Sequence, residues 1–139
     1  MLVLRPSAIQ GIGVHTTEPI GRGKHLRLWD PEDYRFVTFS EAEQDPDLRA
    51  FRNTYCVKDA TGYHCPLDFH RMSIGWYMNH SDTPNVRTSR ELNYHYYAAR
   101  DIAAGEEIVC DYAAITPYES APATHERMMN HIGDRGEAA

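Results

Sequence analysis

Three short stretches hold most of the side chains able to do chemistry. Residues 77–86, YMNHSDTPNV, place a neutral amide (Asn79), an imidazole (His80) and a hydroxyl (Ser81) directly behind the apolar run Trp76, Tyr77, Met78. Residues 99–112, ARDIAAGEEIVCDY, place two carboxyl groups, Glu106 and Glu107, ahead of an apolar segment that ends at Tyr112. Residues 11–14, GIGV, offer glycines spaced by one residue, which permit a tight turn and close approach of backbone to a ligand. His80 beside Ser81 suggests general-base chemistry, but triad members must meet in space and neighbours on an extended chain point apart. Metal binding would draw on His80 with His64, Cys65 or His70. The run HCPLDFH (64–70) lacks a familiar ligand spacing, and Cys56, Cys65 and Cys110 form no CxxC, so no metal site is expected.

Each stretch also has an ordinary reading. NHSDTPN (79–85) reads as a turn in which Asn and Ser bond nearby backbone and Pro84 sets the corner. GIGV reads as a β-turn, because the third glycine of a dinucleotide fingerprint is missing and no helix pattern follows. Glu106 and Glu107 read as solvated residues at a strand start, and Tyr112 as a packed residue at its end.

The elements that must position these residues are short and β-rich. Turn signals recur at Gly11 and Gly13, Gly21 and Gly23, Asp30-Pro31, Thr61-Gly62, Thr83-Pro84 and Ala104-Gly105. Strands are predicted over MLVLRPSAIQ (1–10), HLRLW (25–29, with Leu26 and Leu28 on one face), RFVTF (35–39), YHYYA (94–98) and EEIVCDY (106–112). The last places Ile108, Cys110 and Tyr112 on one face and Glu107, Val109 and Asp111 on the other. Asp45 is positioned to cap a helix that starts at Pro46 and carries Leu48, Phe51 and Tyr55 at helical spacing. Thr124 caps a second, with Met128, Met129 and Ile132 on one side and Gly133 as its stop.

Composition bounds the rest. The chain has 139 residues, which suits one domain over 1–139. A chain of this length buries roughly 65–70% of its unfolded surface and needs no disulfide or metal staple. The formal net charge of −6 disfavours sequence-independent nucleic-acid binding and favours a basic partner such as a Lys-rich peptide. Three scattered cysteines read as reduced thiols of an intracellular protein, and the N-terminus reads as neither signal peptide nor membrane span.

The order of the stretches is more specific than any one of them. A GxG near the N-terminus, an NHS-xx-PN in the middle and a GEE-x3-DY near the end resemble the SET-domain family of protein lysine methyltransferases. GIGVHTTEPIGRGKHL is similar to the family's opening hairpin, and RDIAAGEEIVCDY to its closing motif. The resemblance covers about residues 8–113, with a variable insert over about 30–70 that matches no motif. Residues 114–139 would form the C-terminal closing segment. The Cys-rich tail that binds zinc in many relatives is absent, so the resemblance is to a compact, zinc-free member.

The resemblance implies a mainly β SET (β-clip) fold of several small curved sheets, a few short helices and a knot-like crossing. Chain physics alone would not suggest that crossing, since threaded connections are rare. It implies S-adenosylmethionine as cofactor, held by the backbone of Ile12 and Gly13, the side chain of Asn79 and the backbone of His80, with Tyr118 over the adenine. Asn85 would brace the crossing by bonding backbone. Tyr112 matches the catalytic tyrosine. Tyr77, Tyr97, Tyr55 and Cys110 are candidates for the substrate channel. Many relatives carry Tyr or Phe at the position of Cys110, and a small side chain there leaves room for di- or trimethylation. Asp82 stands where cysteine usually follows the NHS. The implied function is methyl transfer from S-adenosylmethionine to lysine in a basic protein or peptide such as a histone tail, by a monomer or homodimer, with no metal, nucleic acid or membrane involved. The alternatives are a SET-fold binding module of low activity and a methyltransferase acting on a non-histone protein or a small amine.

Overall fold

A computed structural model describes residues 1–30, 32–58, 60–89, 91–92 and 95–115. The helix expected after Thr124 and the candidate Tyr118 lie outside the described residues. In chain order the elements are β1 (Leu2–Pro6), β2 (Ile12–Thr16), β3 (His25–Leu26), β4 (Tyr34–Thr38), α1 (Phe39–Gln44), α2 (Pro46–Tyr55), β5 (Val57–Lys58) and β6 (Gly62–Pro66). Then follow a 3₁₀ turn (Ile74–Tyr77), β7 (Asn79–His80), β8 (Val86–Arg87), β9 (Tyr96–Ala98), β10 (Glu107–Cys110) and a second 3₁₀ turn (Tyr112–Ala114). The fold is mainly β, built of several small sheets and short helices, as the SET resemblance implies. Among the described residues no helix is long and apolar enough to cross a membrane.

The chain divides into two compact units. One comprises Met1–Trp29 and Ile74–Ile115; the other, within the described residues, is Asp30–Ser73. In the first, β1 and β2 form an antiparallel hairpin with Pro6 opposite Ile12. Ser7 builds its loop: the Ser7 N–H donates to Gly11 O at 2.8 Å, and Ser7 Oγ accepts from the N–H groups of Ile9 (2.9 Å) and Gln10 (3.2 Å). The four-stranded sheet runs β1-β2-β10-β7, with β10 antiparallel to β2 and parallel to β7. A second sheet runs β3-β9-β8. Val14, Leu26, Leu28, Met78, Val86, Tyr96, Ala98, Ile102, Ile108 and Cys110 share one buried core, so Leu26 and Leu28 face inward as their alternation predicts, although only His25–Leu26 of HLRLW is strand.

One ordinary reading and one expectation change here. Residues 79 and 80 are strand, not turn: Asn79 pairs with Val109 and His80 with Cys110, and both are buried. The segment then stays along β10, with the Ser81 N–H donating to Cys110 O (2.9 Å) and the Asn85 N–H to Val109 O (3.2 Å). Strand β10 stops at Cys110, because Asp111 Oδ1 accepts the Ala113 N–H at 3.0 Å and starts the 3₁₀ turn that carries Tyr112. Tyr112 therefore leaves the strand instead of ending it.

In the second unit the sheet order is β4-β6-β5. The strand predicted over 35–39 spans Tyr34–Thr38 and gives way to α1 at Phe39, an element the sequence reading lacked. Thr38 and Glu41 form a capping box, Thr38 Oγ1 accepting the Glu41 N–H (3.2 Å) and Glu41 Oε2 the Thr38 N–H (2.8 Å). A cap of this kind contributes about 1 kcal/mol, enough to compete with one more residue of strand. Helix α2 starts as expected, Asp45 Oδ1 accepting from the N–H groups of Asp47 (2.9 Å) and Leu48 (3.1 Å). Leu48 joins Val37, Ala42, Cys56, Tyr63 and Cys65 in this unit's core.

Candidate active site

The loop after β1, the first residue of β7 and the first residue of β10 meet in one polar cluster. Glu107 extends from β10 toward the β1–β2 loop, where Ser7 Oγ is 2.7 and 2.8 Å from its two carboxyl oxygens. Asn79 Nδ2 donates to Glu107 Oε1 (2.8 Å), with Ser7 Oγ (3.0 Å), Gln10 O (3.1 Å) and Ile12 O (3.3 Å) also in reach. Asn79 is only 5% exposed. Two carbonyls and a carboxylate can only accept, and the Ser7 proton is directed to Glu107, so the amide must present its nitrogen to this set. Its oxygen is thereby turned the other way, and Oδ1 receives no hydrogen bond from a described residue. The result is an amide oxygen turned out of the cluster, beside the backbone of Ile12 and Gly13 and held in that orientation by Glu107 and Ser7. Such an acceptor suits a cation with N–H donors.

Gly13 is what lets Glu107 reach the loop. A Cβ there would lie 2.0 Å from Glu107 Oε1 and 3.2 Å from Asn79 Nδ2. Ile12, next to it, is exposed.

His80 and Tyr112 are joined through their backbones and rings. The parallel β7–β10 register sets His80 beside Cys110, and the turn at Asp111 then carries Tyr112 back toward β7. The Tyr112 N–H donates to His80 Nδ1 (3.1 Å), while His80 Nε2 faces Asp82 Oδ1 (3.0 Å). The two ring centroids are 5.2 Å apart, tilted by 53°. The Tyr112 hydroxyl donates to Met78 O at 2.8 Å. A carbonyl cannot donate, so the phenol proton lies on that bond and the oxygen's lone pairs are directed elsewhere.

Asn85 holds these pieces together. Its Nδ2 donates to Glu107 O (2.7 Å), and its Oδ1 accepts the Val109 N–H (2.9 Å), from a side chain 1% exposed. Asn85 bonds backbone through both ends of its amide, as the resemblance implies. Beyond the turn, Glu106 pairs with Arg100 (2.8 Å) and accepts the Ala103 N–H (3.0 Å). The Arg100 guanidinium, and then the Ala103 amide, hold its carboxyl below the ordinary value. Burial, then the adjacent Asp111, pushes the Cys110 thiol well above its ordinary range.

The structure thus brings together Ile12, Gly13 and Asn79, and sets His80 and Cys110 beside Tyr112. Tyr77 packs on the same core as Tyr112. Tyr97 lies between the buried Tyr96 and Ala98 on β9, its ring against His25 (5.3 Å) and under the Arg87 guanidinium (5.4 Å). Tyr55 belongs to the other unit, at the end of α2 beside Phe51. Among the described residues no three His, Cys, Asp or Glu side chains converge as a metal-binding group. Sequence reasoning missed Ser7 and Glu107. The one signal for Glu107 was Val109, two residues on and apolar, which marks that face of β10 as covered and not solvated.

A sequence model of the SET domain matches residues 11–113. The crystal structure of a Plasmodium falciparum protein described as a "putative histone methyltransferase" is similar in fold, with a TM-score of 0.51, 21% identity, and coverage of 80% of this chain and 91% of that one. Among curated proteins none matches the chain.

Proposed function

The chain belongs to the SET-domain family, and from that premise we propose that it is an S-adenosylmethionine-dependent protein-lysine N-methyltransferase acting on a basic protein or peptide. The observation that supports the proposal is the parallel pairing of β7 with β10: Asn79, the first residue of β7, bonds Glu107, and Met78, just before it, accepts from the Tyr112 hydroxyl.

The residues present fit the cofactor. Its methionine end carries an ammonium group, and Asn79 Oδ1, held in orientation by Glu107, offers an acceptor to such a group beside the backbone of Ile12 and Gly13. His80, buried, would contribute main chain to the adenine. When bound, S-adenosylmethionine supplies a methyl group on a positively charged sulfur.

The remaining work falls to the chain's own side chains. The Tyr112 hydroxyl, with its proton directed to Met78 O, offers lone pairs that accept from an incoming amine and from polarised methyl C–H groups. It acts by orientation and electrostatics and not as a nucleophile. The amine must arrive neutral; a site that excludes water and holds a cation lowers the pKa of a lysine that enters it. The small Cys110, buried beside this turn, is consistent with room for more than one methyl group. The net charge of −6 favours a basic acceptor, and the description of the Plasmodium neighbour makes histones the first acceptor to offer.

The test is incubation with methyl-labelled S-adenosylmethionine and core histones, beside Tyr112→Phe. Label on lysine, located by mass spectrometry and lost in the variant, is the expected result. Cofactor binding by calorimetry without transfer to any protein or amine acceptor would replace the enzyme with a binding module. No binding at all would remove the methyltransferase reading.

A further inference from the structure

The ring of His80 has partners that main-chain contact with a cofactor does not require. A backbone N–H only donates, so the Tyr112 N–H at 3.1 Å finds Nδ1 without a proton, and Nε2 carries the proton that Asp82 Oδ1 accepts at 3.0 Å. The Asp111 carboxyl stands at the same nitrogen, with Oδ1 3.8 Å from Nδ1. That oxygen is already engaged: it accepts the Ala113 N–H at 3.0 Å and caps the turn Tyr112–Ala114. Asp82 thus stands on the Nε2 side of the ring, Asp111 and the Tyr112 amide on the Nδ1 side, and the Tyr112 ring packs against it.

We propose that His80 is a proton-operated clamp on Tyr112. With Nδ1 bare, the imidazole holds the Tyr112 backbone and leaves Asp111 to cap the turn. When a proton from solvent adds to Nδ1, two donors face each other across 3.1 Å, and the Tyr112 N–H loses its acceptor. The new Nδ1–H draws Asp111 Oδ1 from the Ala113 amide, so the turn loses its cap in the same event. The hydroxyl that bonds Met78 O sits on that turn and loses its fixed position. His80 is in this sense a positioning residue, with the Asp82 carboxyl at its other nitrogen. The sign is fixed by the geometry: the clamp is closed above the His80 titration and open below it.

The consequence for rate rests on the proposed methyl transfer; the structural half does not. The test is an NMR titration of the full chain, labelled with ¹⁵N, following the His80 ring nitrogens and the Tyr112 amide in the natural chain, in Asp82→Asn and in His80→Asn. Methyl transfer from S-adenosylmethionine to core histones is measured over the same pH range. Expected are an unprotonated Nδ1 at high pH and a Tyr112 amide that moves with the His80 midpoint. The acid limb of kcat should share that midpoint, with cofactor affinity changing little. Asn at 82 keeps an acceptor but loses the charge. Both midpoints should then move together. His80→Asn keeps an acceptor at the position of Nδ1 that takes up no proton, and should abolish the amide titration. A proton found on Nδ1 at high pH, or a Tyr112 amide indifferent to His80, overturns the clamp. An acid limb that stays in place while Asp82→Asn shifts the NMR midpoint overturns its role in transfer. Absence of turnover at every pH in the natural chain counts against the methyltransferase reading, and the NMR titration then decides the clamp alone.

Discussion

A Cβ on Gly13 would stand 2.0 Å from Glu107 Oε1, so the carboxyl group of Glu107 fills the space that any other residue at 13 would claim. Around it, Ser7 and Asn79 are held to Glu107, and Asn79 is turned so that its oxygen points away from the cluster. One missing methyl group thereby governs the orientation of three polar side chains.

Gly13→Ala should therefore act on binding through Glu107. The added methyl displaces the carboxyl, releases Ser7 and frees the Asn79 amide to rotate. We expect S-adenosylmethionine affinity to fall by about tenfold or more, equivalent to losing one hydrogen bond to a charged group at about 1.5–3 kcal/mol. Glu107→Gln should weaken binding comparably. Calorimetric titration of both variants checks this, and unchanged affinity in both would remove Glu107 from the site.

Tyr112→Phe removes the hydroxyl but leaves the backbone bond to His80 and the ring packing. The turnover number should drop about 10²-fold or more, as when one preorganised polar group is taken from a reacting centre. Cofactor affinity should stay within about twofold, because the ring is retained. Single-turnover transfer beside equilibrium binding separates the two quantities; an equal loss in both would make Tyr112 a binding residue.

Asn85→Ala strands two buried backbone groups, the Glu107 carbonyl and the Val109 amide. Each unsatisfied group costs about 1–3 kcal/mol, so a loss of about 2–5 kcal/mol is expected by urea denaturation. Asn85→Asp keeps the acceptor for Val109 but sets an oxygen against the Glu107 carbonyl, and should be no milder. A loss below about 1 kcal/mol would show that the strand pair closes without this brace.

The Arg100–Glu106 pair gives a pH signature. Its carboxyl lies below the ordinary value when folded, chiefly through Arg100. The stability it contributes is complete above the unfolded carboxylate range and is lost as pH falls through the folded value. Because the pair is partly exposed, Glu106→Gln should cost only about 0.2–1 kcal/mol near neutral pH. The difference from the natural chain should shrink toward zero in acid and in high salt. Denaturation curves at neutral and acid pH measure it; a constant penalty would assign the effect to packing.

The described thiols should be slow to react. Burial raises the Cys110 thiol above its ordinary range, and the neighbouring Cys65, followed by burial, does the same to Cys56. Thiolate is the reactive form. Native protein at neutral pH should therefore take up iodoacetamide much more slowly than protein in urea, as intact mass will show. Rapid labelling of Cys110 in the native state would mean that β10 opens readily.

Much of the fold was legible because its determinants are local. Asp45 before Pro46 is a helix start whatever surrounds it, and the alternation of Leu26 and Leu28 marks an inward face. The three motifs that carry the SET resemblance are likewise read in short windows. Thr38 and Glu41 were equally local, but the β-rich run before them concealed the capping box. The ordinary reading of Asn79 and His80 as a turn failed for the opposite reason. Short polar residues beside proline favour a turn, and only their burial beside β10 makes them strand.

The partners of the site could not be read along the chain. Ser7 and Glu107 are 100 positions apart, Asn79 and Glu107 28, and His80 and Tyr112 32. Strand periodicity tells that Glu107 and Val109 share a face; it does not tell whether that face meets water or another segment. That was settled by the β1–β2 hairpin, which brings Ser7 and Gly13 against the Glu107 carboxyl. A carboxyl group at a strand start is ordinary in solvent, and against Gly13 it orients an amide. An imidazole is free to be a base until a backbone N–H claims one nitrogen and a carboxylate the other. The chain's local chemistry determined which groups were present and which family they belong to. Only the packing of distant segments decided which proton each group holds and what it faces.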